Sequence, residues 1–289
     1  MPIKLHVLAA ATLSAAVALT LSGCATDSAP TTASTVAPVA TVEPSALRSP
    51  GTLTYCTTNL GSPPNISTDA SGALVGSEID MAKGIAERLG LKPDFVTVDF
   101  AALIPSLQAS QCDAIMATLY IKPAREEVVD FVPYLTSAVG VAVKDGSNTG
   151  VTGLDDSLCG KKVMVTVGTT AQSLAEDQST KCSGEGKQTV DISTNNQATI
   201  GFQQLANGQI DAYIDAAELI GYYQKQGTAG ISIVGEPTSP ATIGAATRKD
   251  DKALHDGIQL AFTDMVASGD YAKILDTWGQ SSVALKTQG

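Results

Sequence analysis

Two rhythms of apolar residues alternate along most of the chain. Short apolar runs at 53–57, 95–98, 113–116, 128–132, 139–143, 163–167, 210–214 and 241–247 have the length and flanking turn residues of buried strands. Between them, Ile79, Ala82, Ile85, Ala86 and Leu89 recur at helical spacing and stop at Gly90. The same spacing predicts helices over 100–109, over 196–207 ending at Gly208, and through Leu254, Ile258, Ala261, Phe262 and Met265 to Gly269. Ser71 and Gly72 mark a short hairpin, Pro133 ends the 128–132 strand, and 144–150 reads as a polar crossing. This βαβα order predicts an α/β fold with a parallel or mixed sheet and helices on both faces. A body of about 230 residues suffices for two modest lobes or one large domain.

The first fifty residues break the pattern. Residues 1–23 carry Lys4, an apolar run and then Ser22 and Gly23 before Cys24, the layout of a secretory signal too short to span a membrane with its own flanks. The LSGC ending resembles a lipobox, which implies cleavage before Cys24, a diacylglycerol on its sulfur and contact with the membrane through that anchor only. Residues 24–50 are rich in Ala, Thr, Ser and Pro without apolar periodicity and read as a flexible, lipid-anchored linker.

A net charge of −11 with scattered Lys and Arg argues against nucleic acid as a partner, since that requires clustered positive charge. Of two His residues one is in the leader and the other, His255, stands alone on a predicted helix; no His/Cys spacing of metal type occurs. No metal, cofactor or histidine-based acid–base chemistry is therefore expected. Cysteine usage fits an oxidising compartment. Cys159 and Cys182 flank one βα segment, and a bridge between them would close a loop worth ~3 kcal/mol. Cys56 lies on the first strand and Cys112 at the entry to the strand expected beside it; a bridge and two buried thiols both fit.

The chemistry gathers in 111–135. A buried strand runs into a polar turn and then a helix start, which puts Thr118, Tyr120 and Arg125 just past a strand's carboxyl end, where open α/β sheets bind ligands. Arg125 offers a charged fork matched to a carboxylate. The alternative is that it pairs with Glu126, Glu127 or Asp130 on a solvated face. Later, Gly168, Thr169 and Thr170 stand at a strand-to-helix junction, where free N–H groups and a hydroxyl make an anion site or a plain helix cap.

DAIMATLYIKPAREEVVDFVPY resembles the signature of the amino-acid-binding proteins of ABC importers (solute-binding family 3), in which D-A-I leads to I-T-x-x-R and V-D-F-x-x-P-Y. Lys122 replaces the usual Thr. GALVGSEIDMAKGIAERLG resembles that family's G-x-L-x-G-F-D-x-D-L-A-x-x-I-A-x-x-L-G with Ser77 for Phe, and GDYAKILDTWG its closing motif with Thr277 for a basic residue. The resemblance runs from Gly51 to Gly279. It implies a two-lobed, periplasmic-binding-protein-like (type II) fold with two hinge crossings, at 144–150 and near Ser239–Pro240. Lobe 1 would be 51–143 plus 244–289 and lobe 2 144–243.

The same resemblance implies site roles. Arg125 would grip a ligand's α-carboxylate, with Thr118 and Tyr120 helping to hold carboxylate and amino group, and Thr169 and Thr170 completing the grip from lobe 2. LANGQIDAYID resembles the motif whose final Asp binds the α-amino group; Asp215 comes one residue early, which leaves Glu218 as an alternative. Phe100 stands where an aromatic contacts the ligand's side chain, Asn65 at another contact position, and Trp278 reads as packing. The implied function is capture of an amino acid by cleft closure and delivery to an ABC permease by a monomeric lipoprotein, not an enzyme. Two other functions fit the same fold: a prephenate- or arogenate-type dehydratase, with Glu78 the nearest general acid to Arg125, and a sensor for a membrane receptor.

Overall fold

Parallel pairing around one central strand organises each half of the molecule. The computed structural model describes residues 37–58, 62–227 and 230–285; the expected signal and lipid-modified Cys24 lie outside the described residues. In the first half β1 (Thr52–Thr57) leads through the β2 (Ser67–Thr68) and β3 (Leu74–Val75) hairpin into α1 (Ser77–Arg88). β1 lies between β4 (Lys92–Thr97) and β5 (Ala114–Ile115), parallel to both. Two long strands, β6 (Val129–Lys144) and β10 (Ile231–Arg248), run antiparallel to each other. In the second half β7 (Lys162–Thr166) lies between β8 (Asp191–Asn195) and β9 (Ala212–Ala216), again parallel to both.

β10 closes the edge of β5 through Ala246 and Thr247, and β6 closes the edge of β9 through Val139 to Ala142. Each half is thus built alike, as β4-β1-β5-β10-β6 and as β8-β7-β9-β6-β10, sharing the two long strands in one eight-stranded sheet. The mixed sheet expected from the sequence is present.

Helices cover both faces, as alternation along the strands dictates. Leu53 and Tyr55 of β1 join Met81, Ile85, Leu254 and Ile258 in one core, while Cys56 turns to the other face with Ile79, Leu103, Leu107 and Ile115. In the second half Val163 and Val165 belong to the first core and Met164 to a third, with Phe202, Leu205 and Tyr213. Each such large side chain contributes about 1.5–3 kcal/mol on burial. α1 is fixed to α7 (Lys252–Ala267) and α8 (Asp270–Thr277) by buried Arg88, which donates to Asp264 at 2.8 Å and Asp270 at 2.7 Å.

Three expectations change. The strands expected at 128–132 and 139–143 are one strand: Pro133 is accommodated because Gly244 pairs with Pro133 and Ile243 with Leu135, leaving Tyr134 as an extra residue. β10 begins ten residues before the expected 241, because Gly235, Pro237 and Pro240 interrupt its ladder in register shifts rather than end it. Residues 37–50, expected as linker, lie against the body. Val42 and Leu47 are buried, and Asp113 accepts from the backbone N–H groups of Arg48 (2.6 Å) and Thr54 (2.8 Å). Two apolar residues five positions apart carry no period, so the sequence pattern passes over them.

Both disulfides are present. Cys159–Cys182 has Cα atoms 5.7 Å apart and ties the approach to β7 to α4 (Thr170–Gly184). Cys56–Cys112, with Cα atoms 5.4 Å apart, ties β1 to the entry of β5.

Candidate functional site

The carboxyl ends of β1, β5, β7 and β9 open onto one cleft, lined among others by Thr58, Asn65, Phe100, Thr118, Tyr120, Arg125, Thr166, Thr169, Thr170 and Asp215. Eight of the nine ligand-site residues read from the sequence therefore meet in one place. The ninth, Glu78, lies underneath and is fully buried.

The turn after β5 is held from below. Thr118 has φ +51°, a left-handed backbone that a β-branched residue adopts only when its surroundings enforce it. Glu78 does so. Its Oε1 accepts from the Thr118 N–H at 2.7 Å, the Thr118 hydroxyl at 3.0 Å and the Tyr134 hydroxyl at 2.5 Å, while Oε2 has no partner. Burial pushes the Glu78 carboxyl up to about 7, against the lowering effect of those bonds. Asn65 donates to the Thr118 hydroxyl at 3.0 Å and accepts from Gln280. Asn65 and α1 can approach only because Gly76 (φ +136°) intervenes; a Cβ there would sit 2.0 Å from the Asn65 carbonyl oxygen.

Arg125 rises from α3 (Pro123–Glu126), a single turn started by Pro123. Its Nη1 donates to the Tyr120 carbonyl at 2.8 Å and its Nη2 to the Gly168 carbonyl, from the second half, at 3.3 Å; the guanidinium lies 5.6 Å over the Phe100 ring. Among the described residues it makes no ion pair, and Asp130 pairs instead with Lys249 and Lys252. The pairing with neighbouring acids weighed from the sequence is absent. Tyr120 lines the cleft with its ring, but its hydroxyl is bonded to Ser137 Oγ (2.6 Å) and the Ala138 carbonyl (3.3 Å).

On the opposite wall Thr169 caps α4, donating to the Thr166 carbonyl at 2.7 Å and accepting from the Gln172 N–H at 3.3 Å. The next N–H groups, of Thr170 and Ala171, belong to the first turn, have no helical acceptor and border the cleft. Asp215, at the end of β9, accepts from Tyr213 (2.5 Å) and Thr166 (3.3 Å) through Oδ2 and from the Ala216 N–H (2.8 Å) through Oδ1; burial raises its pKa. Glu218, in α6 (Ala217–Gln226), accepts from Ser137 Oγ at 2.6 Å through Oε2, while its buried Oε1 has no partner. Burial pushes this carboxyl up to about 7 as well.

Thr58, Ser62, Val139, Thr166 and Leu219 also line the cleft, and sequence reasoning missed them. Thr58 and Thr166 were findable, since they sit where predicted parallel strands end. Val139 begins the expected 139–143 strand, whereas Ser137 lies in the middle of β6, between the two expected strands. Lys122 faces a neighbouring groove with Asp177 rather than the cleft. Trp278, expected to pack, is half-buried, donates to Asp80 at 2.9 Å and is not among the residues lining the cleft.

Two similar α/β halves joined by two shared strands, with one polar cleft at the strand ends, define a two-lobed, type II solute-binding fold. The chain belongs to the bacterial extracellular solute-binding proteins, family 3, which its residues 53–281 match. It is 31% identical over 222 residues to ABC transporter arginine-binding protein 1 of Escherichia coli (strain K12), covering 75% of this chain and 86% of that protein. An ancestral arginine-binding protein bound to arginine superposes with a TM-score of 0.73 at 33% identity, covering 79% of this chain and 98% of that one. An ancestral amino acid-binding protein, a precursor of cyclohexadienyl dehydratase, gives a TM-score of 0.71 at 28% identity over 79% of this chain and 95% of that one. Among the described residues no helix is long and apolar enough to cross a membrane.

Proposed function

We propose that this protein captures an amino acid by cleft closure and hands it to an ABC import permease. The observation that carries the reading is Arg125: a guanidinium in the cleft, free of any carboxylate among the described residues, reaching to a backbone carbonyl on the opposite wall. A ligand α-carboxylate placed there bonds Arg125 from one lobe and the Thr170 and Ala171 N–H groups from the other, so it favours the closed form through contacts the open form lacks. Asp215 has three protein donors and retains acceptor capacity for an α-ammonium. Phe100 and Asn65 form the side walls. Tyr120 contributes its ring, and Thr169 acts by holding the helix end in place.

Closure bends the two shared strands. Ser239, at φ +50° and followed by Pro240, lies within the irregular part of β10, where ladder bonds are fewest, and is the natural second crossing. The first lies inside β6, between the stretch up to Leu135 that pairs with the lobe-1 end of β10 and Val139–Ala142, which pair with β9, and not at the 144–150 expected from the sequence. The end of β6 therefore goes with the second lobe. Lipid on Cys24 would keep the monomer at the membrane that carries its permease. The dehydratase reading loses its acid: Glu78 is wholly buried beneath Thr118, with three donors on one oxygen. Capture without turnover is the reading retained.

A thermal-shift screen of residues 25–289 against the amino acids tests this. A ligand at a hundred times its Kd adds about 2.7 kcal/mol, and Arg125→Ala removes the shift. A screen in which no amino acid stabilises the protein, or in which Arg125→Ala leaves the shift intact, refutes it.

A further inference from the structure

Asn65 stands in the cleft wall with its carboxamide already committed, and the residue that commits it lies outside the cleft. The Thr118 hydroxyl gives its proton to Glu78 Oε1 at 3.0 Å, so its oxygen is left to accept, and Asn65 Nδ2 donates to it at 3.0 Å. The same end of the amide lies near the Glu218 carboxylate, whose charge it stabilises. The other end, Oδ1, needs a donor from behind the wall, and Gln280 Nε2 supplies it.

Every donor in this row points toward Glu78: Gln280 to Asn65, Asn65 to Thr118, Thr118 to Glu78. Turning over either carboxamide alone sets like against like, acceptor on acceptor or donor on donor. The row ends in Gln280 Oε1, which is buried and accepts nothing among the described residues. That cost is carried behind the wall rather than in it.

Gln280 is held independently of Asn65. It is 2% exposed, and its N–H donates to the Leu275 carbonyl at 2.7 Å. The segment around it is clasped to β6: Thr136 donates to the Val283 carbonyl at 3.1 Å, and Tyr271 donates to the Tyr134 carbonyl at 2.6 Å while accepting from the Leu285 N–H at 2.9 Å. Tyr134 and Thr136 flank Leu135, where the first-lobe part of β6 ends, so Gln280 stays with the first lobe.

We infer that Gln280 is a positioning residue of the binding site: it fixes the Asn65 carboxamide with its N–H end toward Thr118 and Glu218 and its carbonyl turned to the back of the wall. This rests on the amino-acid reading above, since it takes Asn65 as a wall of that site. Without Gln280 the carboxamide is free to turn over, and the Thr118 turn loses its support from Asn65.

The test begins without any amino acid, on the side-chain amide spectrum of the 15N-labelled full chain in detergent, with the Asn65 signals assigned by their loss in Asn65→Asp. Wild type should give two separate Asn65 amide protons protected from solvent exchange. In Gln280→Leu they should move to free-carboxamide positions and exchange at least about tenfold faster; unchanged signals overturn the inference. Gln280→Glu separates positioning from packing and serves if the Leu variant fails to fold. Its carboxyl can donate to Asn65 Oδ1 only while protonated, and the buried acids beside it, Glu78 and Glu218, are pushed up to about 7. Its Asn65 signals should therefore match wild type at pH 5 and depart from wild type at pH 9, and the same match or mismatch at both overturns the inference. Affinity is then read by calorimetry with whichever of the twenty amino acids stabilises wild type most. Gln280→Leu should weaken it about tenfold, but add nothing in an Asn65→Ala background; an equal loss in both backgrounds refutes action through Asn65. If none of the twenty stabilises the protein, the amino-acid reading falls, and the amide spectra still decide whether Gln280 orients Asn65.

Discussion

Three buried carboxyls with raised pKa values, Glu78, Asp215 and Glu218, make the empty protein's stability fall as pH rises, and Glu218→Gln isolates one share of that fall. The ordinary value for Glu218 is 4.5 and burial moves it to about 7. Below pH 4.5 the group is protonated whether the chain is folded or not, and it contributes nothing unfavourable. Between 4.5 and 7 the folded state keeps a proton that the unfolded chain has released, so each pH unit removes about 1.4 kcal/mol of stability. The full loss, roughly 3 kcal/mol, is reached above pH 7. Glu78 covers the same window, from 4.5 to about 7, and because each charge raises the other the two shares overlap rather than add. The carboxylates held low, such as Asp270 at about 2, titrate below this window and do not blur it. The assay is urea unfolding of ligand-free protein at pH 5, 6, 7 and 8. Wild type should lose several kcal/mol across the series, and Glu218→Gln about 2.5 kcal/mol less, with its gain growing from roughly 1 kcal/mol at pH 5 to its maximum at pH 8. Parallel pH curves for wild type and variant would refute the account of Glu218 as a buried, half-satisfied acid.

Other perturbations probe the frame around the cleft. Gly76→Ala places a methyl 2.0 Å from the Asn65 carbonyl oxygen in a backbone region closed to Ala, so it should destabilise by about 3 kcal/mol or more and lower ligand affinity through displaced Asn65 and Thr118. Denaturant midpoints together with ligand titration check this, and a variant as stable as wild type would contradict it. Cys182→Ser opens the loop joined to Cys159, 23 residues away in sequence, and should remove ~3 kcal/mol while leaving ligand affinity nearly unchanged, since the bridge lies at the far end of α4 from Thr170. Under reductant, which opens Cys56–Cys112 in both, wild type and variant should become equally stable, and that is the internal control.

How much of this was legible in the sequence depends on how local each cause is. Strand and helix identity followed from apolar spacing, because burial on one face or two is written into every second or every third and fourth residue. The cleft residues Thr118, Arg125, Thr169 and Asp215 were legible because each sits just past a strand end, and a parallel sheet collects such ends on one side. The long strands were not legible. β6 passes through Pro133 and β10 through Pro237 and Pro240, and those prolines read locally as stops; only the cross-strand shifts at Val234, Thr238 and Ile243 make room for them. For the same reason Ser137 escaped notice, although it holds Glu218 and Tyr120 together at the point where both halves share a strand. The uses of Glu78 and Glu218 are likewise non-local: each carboxylate's partners lie at least 40 residues away in sequence. What spacing cannot carry is therefore the layer beneath the ligand, and in this protein that layer sets both the shape of the Thr118 turn and the charge the cleft presents.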